Sequence, residues 1–268
     1  MLTETFAVGD REVRWGRRGD GPSVVFCHGT PWSSALWAPI ADALAAEHTV
    51  YLWDMLGYGA SSMADGDVSL GVQGRVLADL LDHWALAAPD VVAHDYGGAV
   101  ALRAHLLHGA AYRSLALVDV VALAPWGSDF FRLVAEHASV FAALPASLHE
   151  ALVRAYVAGA AHRPLRADDL DLLVEPWLGT AGQAAFYRQI AQADQRYTDE
   201  IEPLYATLDL PVQVVWGTED TWIPVDRAYR LGELVPGARL DLVEDAGHLV
   251  QLDAPDRLTE ILRRWLAR

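Results

Sequence analysis

The sequence contains no lysine, and its 20 cationic side chains are all arginines. That absence excludes Schiff-base chemistry and phosphate loops built around a lysine. There is one cysteine, Cys27, so an intrachain disulfide and a metal site made from a cysteine cluster are both excluded. Cys27 ends the apolar run Val24-Val25-Phe26-Cys27 and is expected as a buried core thiol. The ten histidines are scattered, and no two stand at zinc-motif spacing within one predicted helix; neither a metal nor a cofactor is expected. Positive charge is scarce overall, giving a formal net charge of −16, which argues against nucleic acid or an anionic membrane as partner. Long apolar runs are missing too: none approaches the ~18 residues of a membrane span. The N-terminus shows no basic stretch leading into an apolar segment. These absences point to the cytoplasm.

Apolar residues, at 53% of 268, are ample for a core of the largest single-domain size, so one domain with an inserted subdomain is expected. Short apolar strands alternate with amphipathic helices, the pattern of a mostly parallel α/β sheet covered by helices on both faces. A hairpin opens the chain, Thr5 to Val8 and Glu12 to Trp15 around Gly9-Asp10. Strands are expected at Val24–His28, Val50–Asp54, Val91–Asp95, Leu115–Val121, Val212–Trp216 and Arg239–Val243, eight in all with the hairpin. Helical spacing occupies Ser34–Glu47, Gly74–Ala85, Gly98–Leu107 and Pro255–Leu266. Between about Pro125 and Leu208 the rhythm breaks. Four helical stretches follow one another there, Phe130–Phe141, Ser147–Ala160, Ala167–Trp177 and Gly182–Ala193, with no strand signal. The expected organisation is a core of 1–124 and 209–268, with 125–208 as a helical lid over the C-terminal ends of the strands, supplying an apolar pocket.

The chemistry-bearing run is Val91-Val92-Ala93-His94-Asp95-Tyr96-Gly97-Gly98. A buried strand delivers Asp95 to a turn between small residues, and Ala93 and Gly97 let the next helix pack closely. A carboxylate so presented attacks carbon without first losing a proton, and forms an alkyl ester when it displaces a leaving group. Asp220, ending Trp216-Gly217-Thr218-Glu219-Asp220, and His248, in Asp245-Ala246-Gly247-His248, also fall at the C-terminal ends of predicted strands. Nucleophile, acid and histidine in that chain order form the triad pattern of this architecture. The amides of Thr30, in His28-Gly29-Thr30-Pro31, and of Tyr96 are placed to form an oxyanion hole.

On these residues, with Ser33-Ser34, Trp37 and Asp54-Met55-Leu56-Gly57-Tyr58-Gly59, the chain resembles the α/β-hydrolase superfamily along nearly its whole length. Asp at the elbow resembles the branch of haloalkane dehalogenases, epoxide hydrolases and haloacetate dehalogenases. The resemblance implies a cofactor-independent hydrolase with an eight-stranded sheet. Asp95 would form an ester at a saturated carbon, and His248, oriented by Asp220, would activate water to cleave it. It also implies Asp119 as an alternative acid, since some dehalogenases carry theirs after the earlier strand.

The departures bear on the leaving group. Haloalkane dehalogenases usually hold the halide between a Trp after the nucleophile and an Asn or second Trp; here those places hold Tyr96 and Thr30. Haloacetate dehalogenases carry Arg where this chain has Tyr96. Epoxide opening asks instead for phenols that protonate the ring oxygen. Tyr156, Tyr187, Tyr197 and Tyr205 lie in the lid, and Tyr156 with Tyr187, one in each half, is the expected pair. Trp126, Trp177 and His94 are further candidates to meet substrate. Epoxide hydrolysis to a diol is therefore the leading expectation. Carbon–halogen hydrolysis comes next, then an esterase or lactonase in which Asp95 is structural, then binding without turnover. Expected partners are a small apolar organic molecule and water, with a second copy of the chain as a further candidate.

Overall fold

Burial runs unbroken through the central strands because both faces of the sheet are covered. The computed structural model describes residues 2–268, so residue 1 of the expected core lies outside them. Among these the strands β1 (Glu4–Val8), β2 (Arg11–Arg18), β3 (Ser23–Cys27), β4 (Thr49–Trp53), β5 (Asp90–Asp95), β6 (Ser114–Val120), β7 (Val212–Gly217) and β8 (Arg239–Val243) form one sheet, in the order β1-β2-β4-β3-β5-β6-β7-β8. Only β2 runs antiparallel to its neighbours β1 and β4; every other pair is parallel. Side chains alternate between two cores. Val25, Cys27, Val91, Ala93 and Leu117 face one, and Val24, Phe26, Val92, Ala116 and Val118 face the other.

The helices are α1 (Ala38–Leu44), α2 (Leu70–His83), α3 (Tyr96–His108), α4 (Asp129–Ala142), α5 (Ala146–Ala158), α6 (Ala167–Val174), α7 (Gly179–Ala191), α8 (Arg196–Asp199), α9 (Asp226–Leu234), α10 (Val250–Asp253) and α11 (Pro255–Leu266). The stretch expected as one helix over Ser34–Glu47 is a 3-10 turn, Ser34–Trp37, followed by α1. Pro39 has no N–H for the Ala35 carbonyl, which the Ala38 amide takes instead. The helix expected from Gly74 starts a turn earlier, at Leu70. Gly74 lies inside it because an added Cβ would stand 2.9 Å from Arg103 Cβ of α3. Its end, expected at Ala85, falls at His83, with Ala85 in the left-handed region at φ 54°. Among the described residues no helix is long and apolar enough to cross a membrane.

The chain leaves β3 for β4 on one side and returns to β5 on the other. That reversal opens a crevice beyond the carboxyl ends of β3 and β5, where ligands bind in open parallel sheets. The loop Gly29-Thr30-Pro31 and Asp95 meet there. Between β6 and β7 the chain holds α4 to α8 and two 3-10 turns, without a strand. Several of its side chains reach the crevice: Trp177 Nε1 donates to the Pro31 carbonyl at 2.7 Å, and Trp126 meets Tyr96 edge-on at 5.5 Å.

Candidate active site

Asp95 ends β5 with φ 51° and ψ −123°, outside the conformations an L-residue ordinarily adopts. Such a backbone is strained by about 1–3 kcal/mol and persists because its surroundings hold it. The helix α3 begins at the next residue. An added Cβ on Gly97 would lie 2.6 Å from the Cys27 carbonyl oxygen, and one on Gly98 would lie 2.3 Å from Val120 Cβ. The small residues therefore seat the helix against β3 and β6 as well as its own strand. Gly29 serves the carboxylate directly, since a Cβ there would stand 2.3 Å from Asp95 Oδ1. The Thr30 amide donates to Oδ1 at 2.6 Å. The other oxygen, Oδ2, lies 3.4 Å from His248 Nε2, which is buried and has no hydrogen-bond partner of its own.

His248 follows β8 and is fully buried. Its Nδ1 pairs with Asp220 Oδ2 at 2.9 Å. Asp220 Oδ1 accepts the amides of Trp222 and Ile223, each at 2.8 Å, which holds the carboxylate in place. Trp222 stacks on the His248 ring at 5.2 Å. Behind it, His94 Nε2 bonds the His248 carbonyl at 2.9 Å. Asp119 lies on the far side, its Oδ1 accepting the Gly217 amide at 2.8 Å and its Oδ2 buried without a partner.

Charge follows from these neighbours. Burial alone would push the His248 imidazole down, but Asp220 and Asp95 outweigh it and hold it well above the usual value. Burial would raise the Asp95 carboxyl, and His248, His94 and the Thr30 amide outweigh that, leaving it below the ordinary range. Burial and the charge of Asp220 raise Asp119 well above the carboxylate range, while Asp220 is the carboxylate bonded to His248 Nδ1. Burial, followed by the charge of His248, lowers His94 to about 3. His94 is thus neutral, donates from Nε2 to the His248 carbonyl, and leaves Nδ1 as a bare acceptor.

The His94 shift has a measurable consequence. A base whose folded pKa lies below its unfolded value near 6.5 takes up more protons when unfolded, so stability falls as pH drops from 6.5 towards 3. At about 1.4 kcal/mol per unit, wild type should lose about 2 kcal/mol more than His94→Gln between pH 7 and pH 5. Urea unfolding at the two pH values measures this, and equal losses would refute the assignment.

A cavity of about 150 Å³ opens above Asp95. Thr30, Asp95, Tyr96 and Val121 line it from the core, Trp126, Phe131 and Tyr156 from the helical segment, and Thr221, Trp222 and Ile223 from the loop after β7. No Arg or His is among the lining residues. Tyr156 packs on Trp222 at 4.6 Å. The Tyr96 hydroxyl is buried without a partner, whereas Trp126 Nε1 already donates to Thr198 Oγ1 at 2.8 Å.

Of the residues expected to meet substrate, Tyr156 and Trp126 reach the cavity and three do not. Tyr187 faces α5, its hydroxyl bonded to His149 Nδ1 at 2.9 Å. Trp177 is turned onto the Pro31 carbonyl. His94 lies beneath His248, within the sheet. Tyr205 is likewise drawn away, donating to the Ala122 carbonyl at 2.6 Å. The sequence reading missed the Tyr96 hydroxyl, Trp222 and Gln189. Gln189 Oε1 accepts from Thr30 Oγ1 at 2.7 Å and from the Tyr58 hydroxyl at 3.0 Å. An aromatic two residues after Asp220 was a signal for Trp222; nothing in the sequence pointed to Gln189.

The sheet order, its covering helices and the strand-end placement of Asp95, Asp220 and His248 define an α/β-hydrolase fold. The model of the alpha/beta hydrolase family matches residues 24–261, and the chain belongs to that family. It is similar to an alpha/beta hydrolase fold protein from Burkholderia ambifaria, whose crystal structure superposes with a TM-score of 0.95 at 49% identity, covering 98% of this chain and 97% of that one. An uncharacterized protein of Mycobacterium tuberculosis is 29% identical over 92% of this chain and 76% of its own length. Haloalkane dehalogenase 2 of the same organism is 27% identical over 92% of this chain and 88% of its own length.

Proposed function

We propose that this hydrolase opens small, uncharged epoxides to diols through an ester on Asp95. The observation that carries this reading is the placement of the Asp95 carboxylate. Its Oδ1 already sits on the Thr30 amide, and its Oδ2 faces His248. An ester substrate would need that same amide for its own carbonyl oxygen, so an esterase with a passive Asp95 would find its oxyanion site occupied. Attack by Oδ2 on a saturated carbon needs no such displacement, and it leaves Oδ1 where charge next develops.

In the first step Oδ2 bonds to a ring carbon, the carbon–oxygen bond breaks, and the electron pair stays on the ring oxygen. Tyr156 delivers the proton to that oxygen. Burial, then the charge of Asp95, raises its phenol well above the usual value, so it is un-ionised at neutral pH. The unpartnered Tyr96 hydroxyl supplies a second hydrogen bond. In the second step His248 takes a proton from water, and the hydroxide adds to Asp95 Cγ. The negative charge on Oδ1 meets the Thr30 amide already bonded to it, a type of contact worth about 3 kcal/mol per donor. Collapse releases the diol, regenerates the Asp95 carboxylate, and the proton on His248 returns through solvent to the Tyr156 phenolate. Alkylation of Asp95 removes one of the two carboxylate charges that raise His248. The imidazole therefore holds a proton less tightly once the ester has formed.

Size and charge narrow the substrate. A cavity of about 150 Å³ is the size that holds a benzene ring, and with no lining cation beside Asp95 it disfavours carboxylates. Carbon–halogen hydrolysis is the second reading, favoured by the 27% identity to haloalkane dehalogenase 2. Against it, Trp126 Nε1 is committed to Thr198, the Thr30 hydroxyl proton to Gln189, and the chain contains no asparagine.

A single turnover with excess enzyme in ¹⁸O-water tests the ester. The first diol should carry no label, because its new oxygen comes from Asp95, and the label should appear in the Asp95 peptide. Label in the first product would refute the reading. Tyr156→Phe should slow epoxide opening by about 10²-fold, the lower range for a general acid, with smaller loss for Tyr96→Phe. Unchanged rates in both would remove the phenols from the mechanism.

A further inference from the structure

The loop that carries the Thr30 amide is gripped from above at two adjacent residues. Trp177 donates to the Pro31 carbonyl, and Gln189 of α7 holds the Thr30 hydroxyl. Gln189 is 3% exposed, and its single oxygen also accepts from Tyr58, whose ring packs on His28 at 5.5 Å and edge-on to Trp177 at 5.5 Å. Its amide nitrogen is buried with no partner. An unpaired buried donor is destabilising, so packing alone does not account for a glutamine here. The oxygen is the useful end, and it joins two hydroxyls from separate loops of the core to a helix of the 125–208 segment.

We propose that Gln189 is a positioning residue for hydrolysis of the Asp95 ester, acting through Thr30. By fixing the Thr30 side chain it fixes the amide that meets Oδ1. The proposal rests on the reading that an Asp95 ester forms. The two chemical steps use that amide differently. Charge on Oδ1 falls as the ester forms and rises as hydroxide adds to Cγ, so a displaced amide penalises the second step more. Gln189 also sets the direction of the Thr30 hydroxyl. Its one proton points to Gln189, so towards the cavity it presents lone pairs only. At this position the protein offers a leaving group no donor.

Gln189→Met, which keeps length and removes the acceptor, and Thr30→Val, which removes the donor, test the proposal, with Thr30→Ser as the conservative rescue. Tyr187→Phe on the other face of α7 is the control. In substrate-free protein, the 2.6 Å bond to Oδ1 places the residue-30 amide proton far downfield by NMR. Gln189→Met and Thr30→Val should move it upfield; Thr30→Ser and Tyr187→Phe should leave it in place. In quenched-flow mass spectrometry, decay of the ester should slow by about tenfold or more in the first two variants, with its formation changed by less than about threefold. The double variant should decay no more slowly than the slower single one, as for residues acting through one contact. An unmoved resonance in Gln189→Met, equal slowing of both steps, or additive effects would overturn the proposal. If Gln189→Met fails to fold, the contrast between Thr30→Val and Thr30→Ser decides it on the same criteria. A shifted resonance with no ester on wild type from any epoxide or haloalkane would sink the ester chemistry and, with it, the hydrolytic role, leaving the contact structural.

Discussion

Asp95→Asn should abolish turnover of epoxides and alkyl halides, with a loss on the order of 10⁴-fold or more, the scale of removing a nucleophile. Asparagine is the informative replacement because it changes chemistry and little else. Its side-chain oxygen can still accept the Thr30 amide as Oδ1 does at 2.6 Å. Asparagine also tolerates positive φ better than most residues, so the backbone at φ 51° is retained, whereas alanine there adds strain. Thermal melting should therefore show a folded variant without activity. Substrate uptake, read from quenching of the tryptophans Trp126 and Trp222 that line the cavity, should persist. An Asp95→Asn protein that keeps its hydrolytic rate would end the nucleophile reading, and retained ester hydrolysis in particular would move the activity to a direct, His248-based mechanism.

His248→Gln should divide the reaction in two. Ester formation continues, because Asp95 needs no base and its Oδ1 still accepts the Thr30 amide. It slows to the extent that losing the His248 interactions, the largest that lower Asp95, raises the carboxyl. Ester hydrolysis should fall by about 10³-fold or more, since His248 is the base paired with Oδ2 and general-base catalysis typically contributes 10²–10⁴-fold. Intact-protein mass reads the result and separates the substrates. An epoxide leaves its whole mass on the protein; an alkyl halide leaves its mass less the hydrogen halide. No adduct from either, with a folded protein, would overturn the ester. The two carboxylates beside His248 also impose a pH signature. His248 is raised in the free enzyme by Asp220 and Asp95, and esterification of Asp95 removes one of those carboxylates. The acid limb of ester hydrolysis should therefore lie below the pH at which His248 titrates in substrate-free protein.

What sequence alone determined is local. Val24 to Cys27, Val91 to Ala93 and Leu115 to Val118 are uninterrupted apolar runs because the strands are covered on both faces, and such runs are visible without a structure. Asp95 and Asp220 were legible because they close buried strands or the following turn, and His248 because it follows the partly exposed edge strand β8; strand ends are where this architecture gathers its chemistry. Helix limits were less so. Gly74 and Pro39 are read by propensity as a boundary and an interior, and packing against Arg103 and the loss of one amide hydrogen bond reverse both. Tertiary structure decided which side chains of 125–208 face the cavity. Tyr156 and Tyr187 have the same local character, yet one lies over Asp95 and the other bonds His149, because facing depends on how helices from distant segments cross. The contact of Asp220 rather than Asp119 with His248 Nδ1, the placement of Asp95 Oδ1 on the Thr30 amide and the hold of Gln189 on Thr30 were settled the same way. Each is a contact between residues far apart in the chain, where burial and neighbouring charge, rather than residue type, set the chemistry.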